Sequence, residues 1–99
     1  RRINLAKASL SKAILLDPEN SAIRYKLAVI NESQSAKREA AKLYFQAGEL
    51  AIREKSNDDI YSSLTALERL SDTVYGRALY ASLLERAEAY QKQELDAGT

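Results

Sequence analysis

The sequence predicts an all-α fold, an α-α superhelix of stacked antiparallel helix hairpins with about five helices. Three observations predict it. First, a small–large–small stripe recurs: Ala6, Leu10, Ala13 and Leu16 have counterparts at Ala40, Tyr44, Ala47 and Leu50. The spacing is about 34 residues, and a single helix hairpin of that length cannot bury its apolar face alone, so the recurrence implies stacking. Second, the core inventory is Ala, Leu, Ile and Tyr, with no Trp, no Met and one Phe, which suits closely spaced helices better than a sheet. Third, one Pro and three Gly leave little turn chemistry for an all-β fold.

Each element has its own signals. The first helix spans 3–16 and stops at Asp17-Pro18, because proline disfavours helical backbone in the residue before it. Asn20 or Ser21 caps a second helix, whose stripe is Ile23, Leu27 and Ile30; the polar run from Asn31 to Ser35 ends it. Ser35 is the expected cap of a third helix, which runs from Ala36 to Lys55 with Ala40, Leu43, Tyr44, Ala47, Leu50 and Ala51 on one face. Ser56 to Asp59 offers cap residues and first-turn acids, so a fourth helix starts near Asp58 with stripe Ile60, Leu64 and Leu67. Ser71-Asp72 opens a fifth, carrying Gly76, Tyr80, Leu83, Ala87 and Tyr90; Leu95 to Thr99 are expected to fray. Short gaps force neighbouring helices to lie antiparallel. One domain, 1–99, therefore divides into the second helix of a truncated repeat (3–16), a repeat at 21–55, a repeat at 58–93 and a frayed tail at 95–99.

These residues resemble the tetratricopeptide repeat family. Its first helix carries an aromatic, then Leu-Gly and a second aromatic; its second carries Ala-x3-aromatic and a closing Pro. The best match is Ala6, Leu10, Ala13 and Pro18; Ala40, Tyr44 and Ala47 follow, and Gly76 and Tyr80 fit a third unit with Tyr61, Leu64 and Thr65. In that third unit the first helix matches at an offset of about 37 and the second at about 36. Departures are Arg24 and Asn31 at aromatic sites, Ala28 and Thr65 for the Gly, and Ile52 for a second Pro. Repeat packing is assigned to Ala6, Leu10, Ala13, Pro18, Leu27, Ala40, Tyr44, Ala47, Leu64, Gly76 and Tyr80. The small residues let helix axes approach, and the large ones fill space one turn on. The resemblance implies a groove lined by first helices that binds a protein or peptide segment, with Ala22, Tyr25, Lys26, Val29, Glu32, Tyr61, Thr65 and Glu68 as its lining. A carboxylate clamp of the chaperone-binding kind is not expected, since the first helices offer only Arg24 and Lys26 as cations.

Little points to chemistry. His and Cys are absent, which removes the most versatile acid–base group, thiolate chemistry, disulfides and the usual zinc ligands. Gly48, Gly76 and Gly98 are too scattered for a phosphate cradle. Asp58-Asp59 reads as a dipole-favouring helix start. We therefore expect no enzyme activity and no cofactor or metal. Formal net charge is +1, so no nucleic-acid footprint is expected, and no run approaches the roughly 18 apolar residues of a membrane span. The compartment stays undecided. The chain starts without Met and in mid-pattern, which reads as a piece of a longer protein. Lys37, Arg38, Glu39, Lys42, Glu49, Arg53, Glu54 and Lys55 read as a solvated face with helix-surface pairs. The expected function is a protein–protein interaction module or scaffold. Alternatives are a self-assembling segment (a homo-oligomer stacking through its half-repeat edge) and a regulatory appendage of a larger enzyme or transcription factor. A plain helical bundle is the alternative fold.

Overall fold

Five helices make up the described residues, 2–98, of the computed structural model: α1 (Arg2–Leu16), α2 (Ser21–Ser33), α3 (Lys37–Glu54), α4 (Asn57–Arg69) and α5 (Val74–Ala97). No strand occurs among the described residues. Arg1 and Thr99, at the ends of the expected domain and tail, lie outside them.

The punctuation between helices has identifiable causes. Asn20 caps α2, its side-chain oxygen accepting from the Ile23 N–H at 3.3 Å while its amide donates to Asp17 at 3.1 Å. Thr73, rather than Ser71 or Asp72, caps α5, accepting from the Gly76 N–H at 3.0 Å. Ser35 does not cap α3. It takes a left-handed φ of 63° and closes α2, with its own N–H on Glu32 O at 3.0 Å and the Ala36 N–H on Asn31 O at 2.9 Å. That pair of bonds is a Schellman motif, which satisfies carbonyls the helix end leaves orphaned. Lys55, at φ 57°, closes α3 in the same way through Ile52 O and Ala51 O. The last helix continues through Leu95 to Ala97, where the sequence predicted fraying.

Cross-helix contacts fix the directions. Arg24 meets Gln46 and Tyr25 meets Tyr44, so α2 and α3 run antiparallel. Asn57 meets Tyr90, while Leu64 and Leu84 line the same cleft, so α4 and α5 are antiparallel too. In contrast, Arg38 lies over Tyr75, Gly48 abuts Leu83 and Lys55 pairs with Glu94. Residue numbers rise together along α3 and α5, which are therefore parallel. The same holds for α2 and α4, tied by Glu32 and Arg69. The Cα extents are 52 × 32 × 16 Å. Helix axes about 8–10 Å apart, with a Cα radius of about 2.3 Å on either side, fill that least dimension with two layers.

The core centres on α3, which packs on α2, α4 and α5. Ala40, Ala41, Tyr44, Ala47 and Ala51 are buried there, with Leu27 and Ala28 from α2, Ile60, Ala66 and Leu67 from α4, Leu70, and Leu83 from α5. Leu64 and Tyr80 are half-buried and pack against this cluster. The buried face of α4 is rotated from the expected stripe: Ser63 and Ala66 point inward in place of Leu64. The α1 residues assigned to packing, Ala6, Leu10 and Ala13, are half-buried on α2's side, and nothing in α1 is fully buried. Gly76 is buried, but not at a helix crossing. A Cβ there would lie 2.0 Å from the Leu70 carbonyl oxygen, so the glycine makes room for the α4–α5 turn. The close helix approach is at Gly48, where a Cβ would lie 2.4 Å from Leu83.

The expected solvated face differs in one respect. Glu39–Lys42 pairs within one helix, whereas Lys37–Asp72, Arg53–Glu19, Lys55–Glu94 and Arg86–Glu49 join separate elements. These exposed pairs are each worth at most about 1 kcal/mol, so they orient helices more than they stabilise them.

Candidate functional site

The parallel helices α2 and α4 leave a cleft of about 160 Å³ between them. Ala22, Tyr25 and Lys26 form one wall, Asp59, Ser62 and Ser63 the other, and Ala47 of α3 lies at the floor. Small residues at 22, 47 and 63 keep it open. Tyr25 stands half-buried at its edge, its ring packed edge-to-face on Tyr44 with centroids 5.2 Å apart. Ser63 is 1% exposed, and its hydroxyl is buried without a hydrogen-bond partner among the described residues. Such a group loses its water without compensation, at a cost of about 1–3 kcal/mol. Lys26 and Asp59 put one charge of each sign on opposite walls.

Beside the cleft, three helices are tied at one point. The Tyr44 hydroxyl donates to Glu32 Oε1 at 2.7 Å, and Arg69 grips both oxygens of the same carboxylate at 2.9 and 3.4 Å. The Arg69 hydrogen bond comes first in holding the Glu32 carboxyl below its ordinary value, against the opposing effect of burial. Burial, then the Glu32 carboxylate, pushes the Tyr44 hydroxyl well above the usual phenol range. The carboxylate in turn raises Arg69. All three groups hold fixed protonation states near neutrality, and the site works as a clasp.

The residues assigned to one groove thus fall in several places. Ala22, Tyr25 and Lys26 line the α2/α4 cleft. Glu32 is turned into the clasp. Tyr61, 72% exposed, faces a different and larger cleft of about 610 Å³ between α4 and α5, together with Leu64, Leu84, Ala87 and Tyr90. Val29 and Glu68 are exposed and Thr65 is half-buried, and none of the three borders either cleft. Pro18 is exposed; its carbonyl accepts from Arg24, which also reaches Gln46 and so staples the α1–α2 turn to α3. Ser62 and Ser63 line the cleft without having been singled out in the sequence, and Asp59 was read there only as part of a helix start. Reading α4 one step round, with Ser63 inward, would have found them.

Among the described residues no cluster of three or more His, Cys, Asp or Glu forms a metal site, and no helix is long and apolar enough to cross a membrane. Compared with protein-family models, with curated proteins and with solved structures, the chain matches none.

Proposed function

We propose that this chain is a non-catalytic protein-interaction module that holds a segment of a partner protein in the α2/α4 cleft. The observation that carries the reading is the unsatisfied Ser63 hydroxyl at the wall of a small, mostly apolar cleft. A partner segment that inserts one small apolar side chain and draws the buried Ser63 hydroxyl, by rotation about its Cα–Cβ bond, toward a backbone N–H or C=O meets both needs of the site at once. Lys26 and Asp59 on opposite walls give that segment an orientation. In this reading the chain is a tetratricopeptide-like superhelix. Its support is the parallel running of α2 with α4 and of α3 with α5, and the helix starts about 36 residues apart, near the repeat period of that family.

The test is a peptide-library screen read out by backbone amide shifts of the labelled chain. Binders should perturb Ala22, Tyr25, Lys26, Ser62 and Ser63. Ala22→Trp, at an exposed position, should fill the cleft and abolish binding with the fold intact. Ser63→Ala should weaken binding about tenfold while leaving stability equal or slightly raised. Binders that map to other helices, or that tolerate Ala22→Trp, would overturn the assignment.

A further inference from the structure

The exposed apolar side chains are not scattered. Among the large ones, Ile3, Leu5, Leu15 and Leu16 are on α1, and Tyr61 and Leu95 border the α4/α5 cleft. Only Val29 and Val74 lie elsewhere among the described residues. At 100° per residue, Leu5, Ala8, Lys12, Leu15 and Leu16 share an arc of roughly 100° on α1. The half-buried residues Ala6, Leu10, Ala13 and Ile14 occupy the opposite arc, toward α2. One face of α1 is therefore used, and the other, apolar but for Lys12, has no partner among the described residues, with Leu16 84% and Leu15 82% exposed.

We propose that this free face of α1 docks into the α4/α5 cleft of a second copy of the chain, head to tail. Charge and size choose the occupant. The stretch 1–16 carries Arg1, Arg2, Lys7 and Lys12 and no acid. The charged residues that line the cleft, Glu88 and Glu94, are both acids; Glu94 already pairs with Lys55, which leaves Glu88 for an incoming cation. Lys12 projects from the middle of the free face, and neither it nor Glu88 makes an ion pair among the described residues. The cleft runs along α5 from Leu84 to Leu95, about 17 Å, and the 15-residue α1 is about 22 Å long. The contact joins two different surfaces, so it is heterologous and each copy keeps one free face for the next. It leaves the α2/α4 cleft uncovered and stands independently of the function proposed for that cleft.

Sedimentation velocity on the whole chain, from micromolar to millimolar concentration, tests this with two edge-blocked variants. Leu5→Glu with Leu16→Glu blocks the α1 face; Tyr61→Lys blocks the cleft. All three positions are exposed, and far-UV circular dichroism checks that each variant stays helical. The unmodified chain should pass beyond dimer as concentration rises, and more weakly in high salt. Each variant alone should stay at 11.0 kDa. Mixed in equal amounts, they should form a 1:1 dimer and nothing larger, because each supplies the face the other lacks. A wild-type monomer throughout, a closed dimer that either variant still forms, or a mixture that stays monomeric would each overturn the proposal.

Discussion

Replacing Gly76 by alanine tests how the α4–α5 turn is built. The new Cβ would lie 2.0 Å from the Leu70 carbonyl oxygen, 2.7 Å from its carbon and 2.6 Å from the Thr73 Oγ1 that caps α5. Two of these are backbone atoms, which yield only if the turn itself moves. Overpacking of this kind costs about 1–3 kcal/mol, and a rigid obstacle puts the cost at the upper end. Disturbing the Thr73 cap adds up to about 1 kcal/mol. Against this stands a helix-propensity gain of at most about 1 kcal/mol, smaller in a first turn. The net loss is about 3 kcal/mol, a fall in Tm of about 12–24 °C for a chain of this size. The comparison variants set the scale. In Gly48→Ala the Cβ meets the Leu83 side chain, which is buried but can shift rotamer where backbone cannot, so the loss should be about 1 kcal/mol; in Gly98→Ala the nearest atom is at 3.4 Å, and the change should stay within about 0.5 kcal/mol. Thermal unfolding followed at 222 nm orders the three. A Gly76→Ala protein that melts at or above the parent temperature would refute the argument.

Other perturbations follow from features already described. Ser35→Gly should raise stability by about 0.5–1 kcal/mol in chemical denaturation, since the left-handed backbone at φ 63° strains any side chain but glycine's. Ala47→Trp, at a 2%-exposed floor position, should lose about 1–3 kcal/mol or more, and unchanged unfolding would undermine the α2–α3–α4 packing. Glu32 has its carboxyl held low in the folded state, so its contribution is complete above its ordinary value of 4.5 and is lost as pH falls through the lowered one. Stability measured against pH should therefore decline below about 4.5, and Glu32→Gln should flatten that decline.

Much of the helix map could be read from local chemistry. Pro18 and Asn20 act within a few residues of where they stand, so their effects on α1 and α2 are legible without tertiary knowledge. The left-handed ends at Ser35 and Lys55 are not, because neither residue type advertises that conformation and the motif is imposed by the two helices it joins. The rotation of α4 is also hidden. Hydrophobic periodicity favours Leu64, but the alanine-rich surface of α3 comes close enough to select the small Ser63 and Ala66, leaving Leu64 for the second cleft. That rotation separates Tyr61 from Tyr25, which the sequence placed in one groove. The clasp joins residues 32, 44 and 69, and no local pattern connects them.

The unequal seating of the helices sets an order of opening. Helix α3 touches α2, α4 and α5 and holds six buried residues, whereas α1 holds none among those described and packs on α2. Amide protons of α3 should exchange only through global unfolding, while those of α1 should exchange through a local detachment that leaves the remaining four helices standing. A protease acting on native protein would then meet its first vulnerable bonds near Asp17, and would trim the chain to a folded remnant before it destroyed it.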